Sequence, residues 1–182
     1  MPPVLHDAVT LRHFAAVDAL DVLHAQHGRH PEPRWTEAVQ DEIAAAERAG
    51  EAHCADILSA SWLGAAAEPE EGNLAAVYRI QVGLNEGLRP PDAHLGEAQA
   101  IHFAEATGGT VATDDHGAYV FATRRPSLGP GRVIDTVQIL RSAVAFGEIT
   151  SVQAAKIADD IESAGRSLRP EHRQSRNAAY FD

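Results

Sequence analysis

Apolar residues recur along the chain in short blocks whose period changes from one block to the next. The opening PVLHD is an extended run that ends on an acid, which predicts a strand delivering Asp7 to a helix start. Leu11, Phe14, Val17, Leu20 and Leu23 then keep helical spacing and predict one helix reaching about His27. Gly28, Pro31 and Pro33 in HGRHPEPRW interrupt it and predict a loop, with a short strand before Trp35. Thr36 begins the next helix, which places Val39 and Ile43 on one face with Glu42 beside them and ends at Gly50.

The middle of the chain reads as scaffold. Residues near 53–59 continue as helix, SWLG predicts a brief strand and AAAEPEEGN an acidic loop. A helix from about Leu74 to Asn85 follows, closed by Gly87 and the Pro90-Pro91 pair. Leu95, Ala98, Ile101 and Ala104 then predict a helix that stops at Gly108-Gly109, and TVAT is a compact β run leading into Asp114-Asp115. GAYVFATRR is helical, the loop PSLGPG leads to RVID as another buried strand, and helices follow from about Thr136 to Phe146 and from Ser151 to Ala164, the second capped by Thr150. Strands alternating with helices predict a mostly parallel sheet covered on both faces. Residues 1–168 form the expected domain, and 169–182 a C-terminal tail without periodicity, expected to be mobile or to dock on a partner.

Composition narrows this picture. A chain of 182 residues is long enough for one well-buried core. Aliphatic residues and alanine must fill it, because aromatics are scarce and Trp35 and Trp62 are its largest anchors. The single cysteine, Cys54, excludes an internal disulfide and reads as buried filler. No apolar run is long enough to cross a bilayer, and MPPVLHDAV lacks the basic and apolar segments of a signal peptide, so a cytoplasmic location is expected. The net charge of −11 argues against a broad basic surface that tracks nucleic acid. The charge is uneven: residues 1–119 hold 6 Arg and no Lys against 19 acids, whereas residues 120–182 hold 8 Arg and 1 Lys against 7 acids. A phosphate-holding surface is therefore expected in the last third.

The acids carry the candidate chemistry. In open parallel sheets ligands bind beyond the carboxyl ends of the strands, where Asp7 and the Asp114/Asp115 pair are expected to lie. Glu97 falls in the first turn of its helix and can lean toward the same edge. Converging carboxylates repel one another unless a cation sits between them, and hard oxygen donors select Mg²⁺ or Mn²⁺. Such ions support phosphodiester hydrolysis. Each acid also has an ordinary structural role open to it: Asp7 and one of Asp114 and Asp115 as helix caps, Glu42 as a solvated helix position, and Glu97 as a complement to the helix dipole.

On LHDAVTLRHFAAVDALDVL, AVQDEI, HLGEAQAIHFAEATGGTVATDDHGAYVFA and DTVQILRSAVAFGEIT, the chain resembles the PIN-domain family, in particular the ribonuclease toxins of bacterial toxin–antitoxin pairs. HLGEAQAI followed by TVATDD is the specific part of the match. The resemblance implies a three-layer α/β/α sandwich around a central, mostly parallel sheet, with Asp7, Glu42, Glu97 and Asp114 or Asp115 forming an acidic pocket. Asp7, Glu97, Asp114 and Asp115 would hold Mg²⁺ or Mn²⁺, and Asp7, Glu42, Glu97 and Asp115 would carry catalysis. The implied activity is endonucleolytic cleavage of single-stranded RNA by water in line with the leaving 3′ oxygen, with Thr10 or Thr113 positioning water or phosphate. The implied partners are a cognate antitoxin and a second copy of the chain. A non-catalytic PIN-like binding module and a nuclease acting on DNA remain alternatives. Two departures bear on the pocket: Arg12-His13 stands where apolar and small polar residues are usual, and His116 stands where a basic residue often follows the second Asp.

Other features carry less. His24, His27 and His30 have a ligand-like spacing, but Gly28 and Pro31 break the helix and no cysteine assists. Arg124-Arg125, Arg132 and Arg141 either hold phosphates or balance helix ends and acids, and Asp135 either joins the metal shell or caps the helix at Thr136.

Overall fold

Burial of successive residues on both faces of three short strands sets the architecture. In a computed structural model, which describes residues 1–85, 93–129, 131–172 and 174–182, β1 (Val4–His6), β2 (Thr110–Ala112) and β3 (Val133–Ile134) form a parallel sheet in the order β1-β2-β3. Leu5 stands beside Val111, and Val111 beside Val133; His6, Ala112 and Ile134 form the adjacent row. Because successive strand residues face opposite sides, the first row enters one apolar cluster and Val4, Ala112 and Ile134 enter another. The chain is thus a helix-rich α/β protein with a small parallel sheet.

The helices follow the caps written in the sequence. Asp7 caps α1 (Ala8–Ala15) by accepting the Thr10 amide at 2.6 Å, and Thr36 caps α3 (Glu37–Arg48). Between them lies α2 (Leu20–His27). The single helix expected up to His27 is therefore broken: Asp18 adopts a left-handed φ of 54° and the Ala19 amide turns back to the Phe14 carbonyl at 2.9 Å. The apolar spacing survives the break because Leu11 and Phe14 on one side, and Val22 and Leu23 on the other, enter the same cluster.

After α4 (Cys54–Ser59), the SWLG segment forms a 3₁₀ turn over Ser61–Leu63 in place of the expected strand; Leu63 is buried and Trp62 lies edge-on to His6. Among the described residues no regular strand precedes Trp35: the His6 amide bonds the Arg34 carbonyl at 2.8 Å, and an isolated parallel bridge joins Thr36, just after Trp35, to Ala67. Extended backbone thus continues beyond β1 without a regular strand.

A 3₁₀ turn over Glu71–Asn73 leads into α5 (Leu74–Asn85), followed by α6 (Leu95–Thr107), which ends at left-handed Gly108. The expected closure of α5 by Gly87 and Pro90-Pro91 lies outside the described residues. Then come α7 (His116–Thr123), α8 (Thr136–Ala145) and α9 (Ser151–Ser163); α8 and α9 begin with full capping boxes, Asp135 with Gln138 and Thr150 with Gln153. Helices α5, α6 and α7 pack in the cluster of Leu5 and Val111, and α1 to α4, α8 and α9 in the cluster of Val4 and Ala112. Among the described residues no helix is long and apolar enough to cross a membrane.

Residues 169–182 pack on the body of their own chain. Phe181 is buried, the Tyr180 carbonyl accepts from Arg141 at 3.0 Å, and His172 reaches Asp135 at 2.7 Å. Arg173 lies outside the described residues.

Behind β1, His27 of the HxxHxxH segment forms a buried pair with His6. The His6 Nδ1–H donates to the Arg34 carbonyl at 3.0 Å, which leaves its Nε2 to accept from His27 Nδ1 at 2.8 Å. His24 instead stacks on Trp62, and His30 meets the Pro2 carbonyl. Burial pushes His6 down to about 4 and drives His27 further below its ordinary value.

Both groups take up protons near pH 6.5 when unfolded but resist them when folded. Their contribution is therefore complete above pH 6.5 and is lost as pH falls toward the folded values. Denaturation titrations should show about 2 kcal/mol lost per histidine between pH 6.5 and 5. His27→Gln should reduce that slope, and a flat wild-type profile over this interval would refute the paired, neutral arrangement.

Candidate metal centre

Three parallel strands end on the same side, so the residue following each one arrives at a common edge. Asp7 follows β1, Thr113-Asp114-Asp115 follow β2 and Asp135 follows β3. Asp7 and Asp114 are buried there. Asp7 accepts the Thr10 amide and the Thr113 hydroxyl. Asp114 accepts the Thr10 hydroxyl at 3.1 Å, the Thr136 hydroxyl at 2.5 Å and the Thr136 amide at 3.2 Å, and lies 3.4 Å from His13 Nδ1. Thr10 and Thr113, expected to position water or phosphate, are thus engaged in fixing the two carboxylates.

The two buried acids are pushed in opposite directions. Burial raises Asp7 well above the ordinary carboxylate range, and the nearby charges of Asp114 and Glu97 add to that effect against the donors on its oxygens. Burial would raise Asp114 too, but His13 and the Thr136 donors hold it low. Asp114 is therefore the settled charge and Asp7 the costly one.

The two glutamates reach the edge through a close helix contact. A Cβ on Gly96 would stand 3.1 Å from a Val39 methyl and 3.8 Å from Glu42 Oε2, so glycine lets the start of α6 approach α3. The Gln99 side chain locks the approach by accepting the Ala38 amide at 3.1 Å. Burial and the charge of Glu97 raise Glu42, and Arg12, 3.9 Å away, opposes the rise. Arg12 also grips Glu51 through two nitrogens. Both residues of the Arg12-His13 departure lie beside site acids, Arg12 beside Glu42 and His13 beside Asp114.

Asp115 caps α7 by accepting the Ala118 amide at 2.7 Å. One donor atom from each of His94, Glu97 and Asp115 falls within 4.8 Å of the others. Two donors each about 2.1 Å from one ion lie no more than about 4.2 Å apart, so this set needs only a small contraction to hold one. The residues therefore fit a divalent cation. His94 was not among the residues singled out from the sequence; its signal was its place three residues before Glu97 at a helix start. Asp135 does not join the group, because its carboxylate caps α8 and takes His172 and Arg169.

Beside this group runs a cleft of about 920 Å³, lined at one end by His94, Asp115 and His116 and at the other by Arg124, Arg125 and Ser127. Arg125 is held by Glu105 at 2.5 and 2.8 Å, Arg132 by the Gly109, Ser127 and Ala104 carbonyls, and Arg141 by the Tyr180 carbonyl and ring. Those three serve packing, and Arg124 is the exposed arginine of the cleft.

No family model, no curated protein and no solved structure matches the chain.

The raised Asp7 carboxyl favours folding at low pH, and that contribution is lost as pH rises through its folded value. At neutral pH the metal-free protein bears the cost. Asp7→Asn keeps a capping oxygen and removes the charge, so calorimetry of metal-free protein at pH 7.5 should show a higher Tm, at roughly 2–4 °C per kcal/mol gained. An unchanged or lower Tm would show that the buried charge is not a burden.

Proposed function

We propose that the protein is a metal-dependent endoribonuclease that cleaves single-stranded RNA, and that it acts as the toxin of a toxin–antitoxin pair. The observation that carries this reading is the meeting of Asp7, Glu42, Glu97, Asp114 and Asp115, from distant parts of the chain, at one strand-end edge beside a cleft. The resemblance of HLGEAQAI and TVATDD to PIN-domain toxins supports it, as does the division of the core into two clusters on opposite strand faces, which suits a three-layer α/β/α sandwich.

Each residue then has a task. Asp114, fixed by Thr10, Thr136 and His13, supplies a permanent negative charge that favours a cation nearby. Glu97, Asp115 and Asp7 supply oxygen donors for Mg²⁺ or Mn²⁺, which when bound polarises the phosphate and makes water more acidic. Glu42, an exposed carboxylate raised by desolvation and by Glu97, would take a proton from the attacking water. Arg124 and His116, along the cleft, hold phosphate oxygens of the strand. A homodimer and an antitoxin that blocks the cleft complete the proposal.

A second reading, a non-catalytic binding module, is favoured by one observation: Asp114 already has its donors and Arg12 lies beside Glu42. Binding of a partner that survives loss of the acids, without divalent-ion binding, would select it.

The test is cleavage of end-labelled single-stranded RNA and DNA side by side with Mn²⁺ or Mg²⁺. RNA should be cut, and Asp7→Asn and Glu97→Gln should each lower the rate by at least about 100-fold and relieve growth arrest on expression. Wild-type rates in both variants would sink the proposal, and preferential cutting of DNA would change its substrate.

A further inference from the structure

Two groups of metal-ligating side chains occur among the described residues, and only one can accept a cation. Around Glu51, His53 and Cys54, the Arg12 and Arg166 guanidiniums already hold Glu51, and Cys54 is fully buried. Positive charge occupies that position.

The group of His94, Glu97 and Asp115 is different in kind from a patch of acids. One of its three donors is an imidazole nitrogen, its His94 and Glu97 side chains are only 10% and 15% exposed, and both His94 and Asp115 border the 920 Å³ cleft. His94 holds a left-handed φ of 61° at the position before α6, yet its ring does not cap that helix. Its Nδ1 instead lies 3.4 Å from Glu97 Oε1. The histidine at this position brings a nitrogen donor beside the two carboxylates.

We infer that His94 is a ligand of the metal centre, so that the site takes a divalent transition ion, Mn²⁺ in preference to Mg²⁺, through one nitrogen and the carboxylates of Glu97 and Asp115. Mn²⁺, although the hardest and weakest-binding of the divalent transition ions, accepts an imidazole nitrogen among carboxylates, whereas Mg²⁺ demands near-ideal octahedral oxygen coordination and retains its water. The inference rests on the metal-dependent reading above and narrows it from a hard-oxygen pocket to a mixed one.

Calorimetric titration of the metal-free protein with Mn²⁺ and with Mg²⁺, together with pulsed EPR of the Mn²⁺ complex, tests it without any substrate. Mn²⁺ should bind at least about 10-fold more tightly than Mg²⁺, and the EPR spectrum should carry a nitrogen coupling. In His94→Gln the coupling should vanish and Mn²⁺ affinity should fall by about 10-fold or more, with Mg²⁺ affinity little changed; in His116→Gln the coupling should persist. Mn²⁺ binding without nitrogen coupling in the wild type overturns the inference whether or not the variant folds. A coupling that survives in His94→Gln overturns it as well. If neither ion binds the wild type, the metal-dependent function falls with it; if both bind equally and no nitrogen is seen, only the role of His94 falls.

Discussion

Two carboxylates are buried side by side at the ends of neighbouring strands, and the surrounding structure is arranged to accommodate them. Asp114 is held ionised by donors from α1, the first residue of α8 and His13, so the charge at the end of β2 ties together elements from both ends of the chain. Asp7 sits against that charge and meets it with only a backbone amide and the Thr113 hydroxyl. Unmet charge in a buried position is costly unless a counter-charge arrives, and no lysine or arginine makes an ion pair with either group among the described residues. Burial therefore holds the Asp7 carboxyl well above its ordinary range, and the proposed divalent cation would offset that cost.

The same crowding of acids reaches the neighbouring helices. Gly96 weakens the first turn of α6 but brings Glu97 and Glu42 within electrostatic reach of each other, where Glu97 raises Glu42. Arg12 offsets part of the resulting charge from the outer side while anchored on Glu51, and does not enter the buried pair. The contact of the C-terminal segment with Asp135 removes a further acid from the edge, and of the acids that remain there Asp115 lines the cleft.

Where local chemistry decided the outcome, the sequence could be read. Asp7, Thr36, Asp135 and Thr150 cap helices because a side-chain oxygen before an apolar period has one natural use, and TVAT followed by two acids placed β2 and its edge. Where the outcome depended on contacts far along the chain, it could not. Nothing near Val17 announces that Asp18 will turn left-handed, and SWLG has the composition of a strand but lies where Trp62 must reach His6 and His24. The acids at the edge were legible as a set; their division of labour was not. That Asp114 is saturated, that Asp115 both caps and faces the cleft, and that His94 joins Glu97 all follow from the approach of α6 and α7 to the same edge.

Anomalous diffraction from crystals of the protein soaked in Mn²⁺ tests the central claim most directly, because it shows whether a cation occupies the edge where the acids converge. A peak bounded by His94, Glu97 and Asp115, on the side facing Asp7, is the predicted result. A map with no peak at this edge under saturating Mn²⁺, or one with the ion held elsewhere on the chain, would contradict the account.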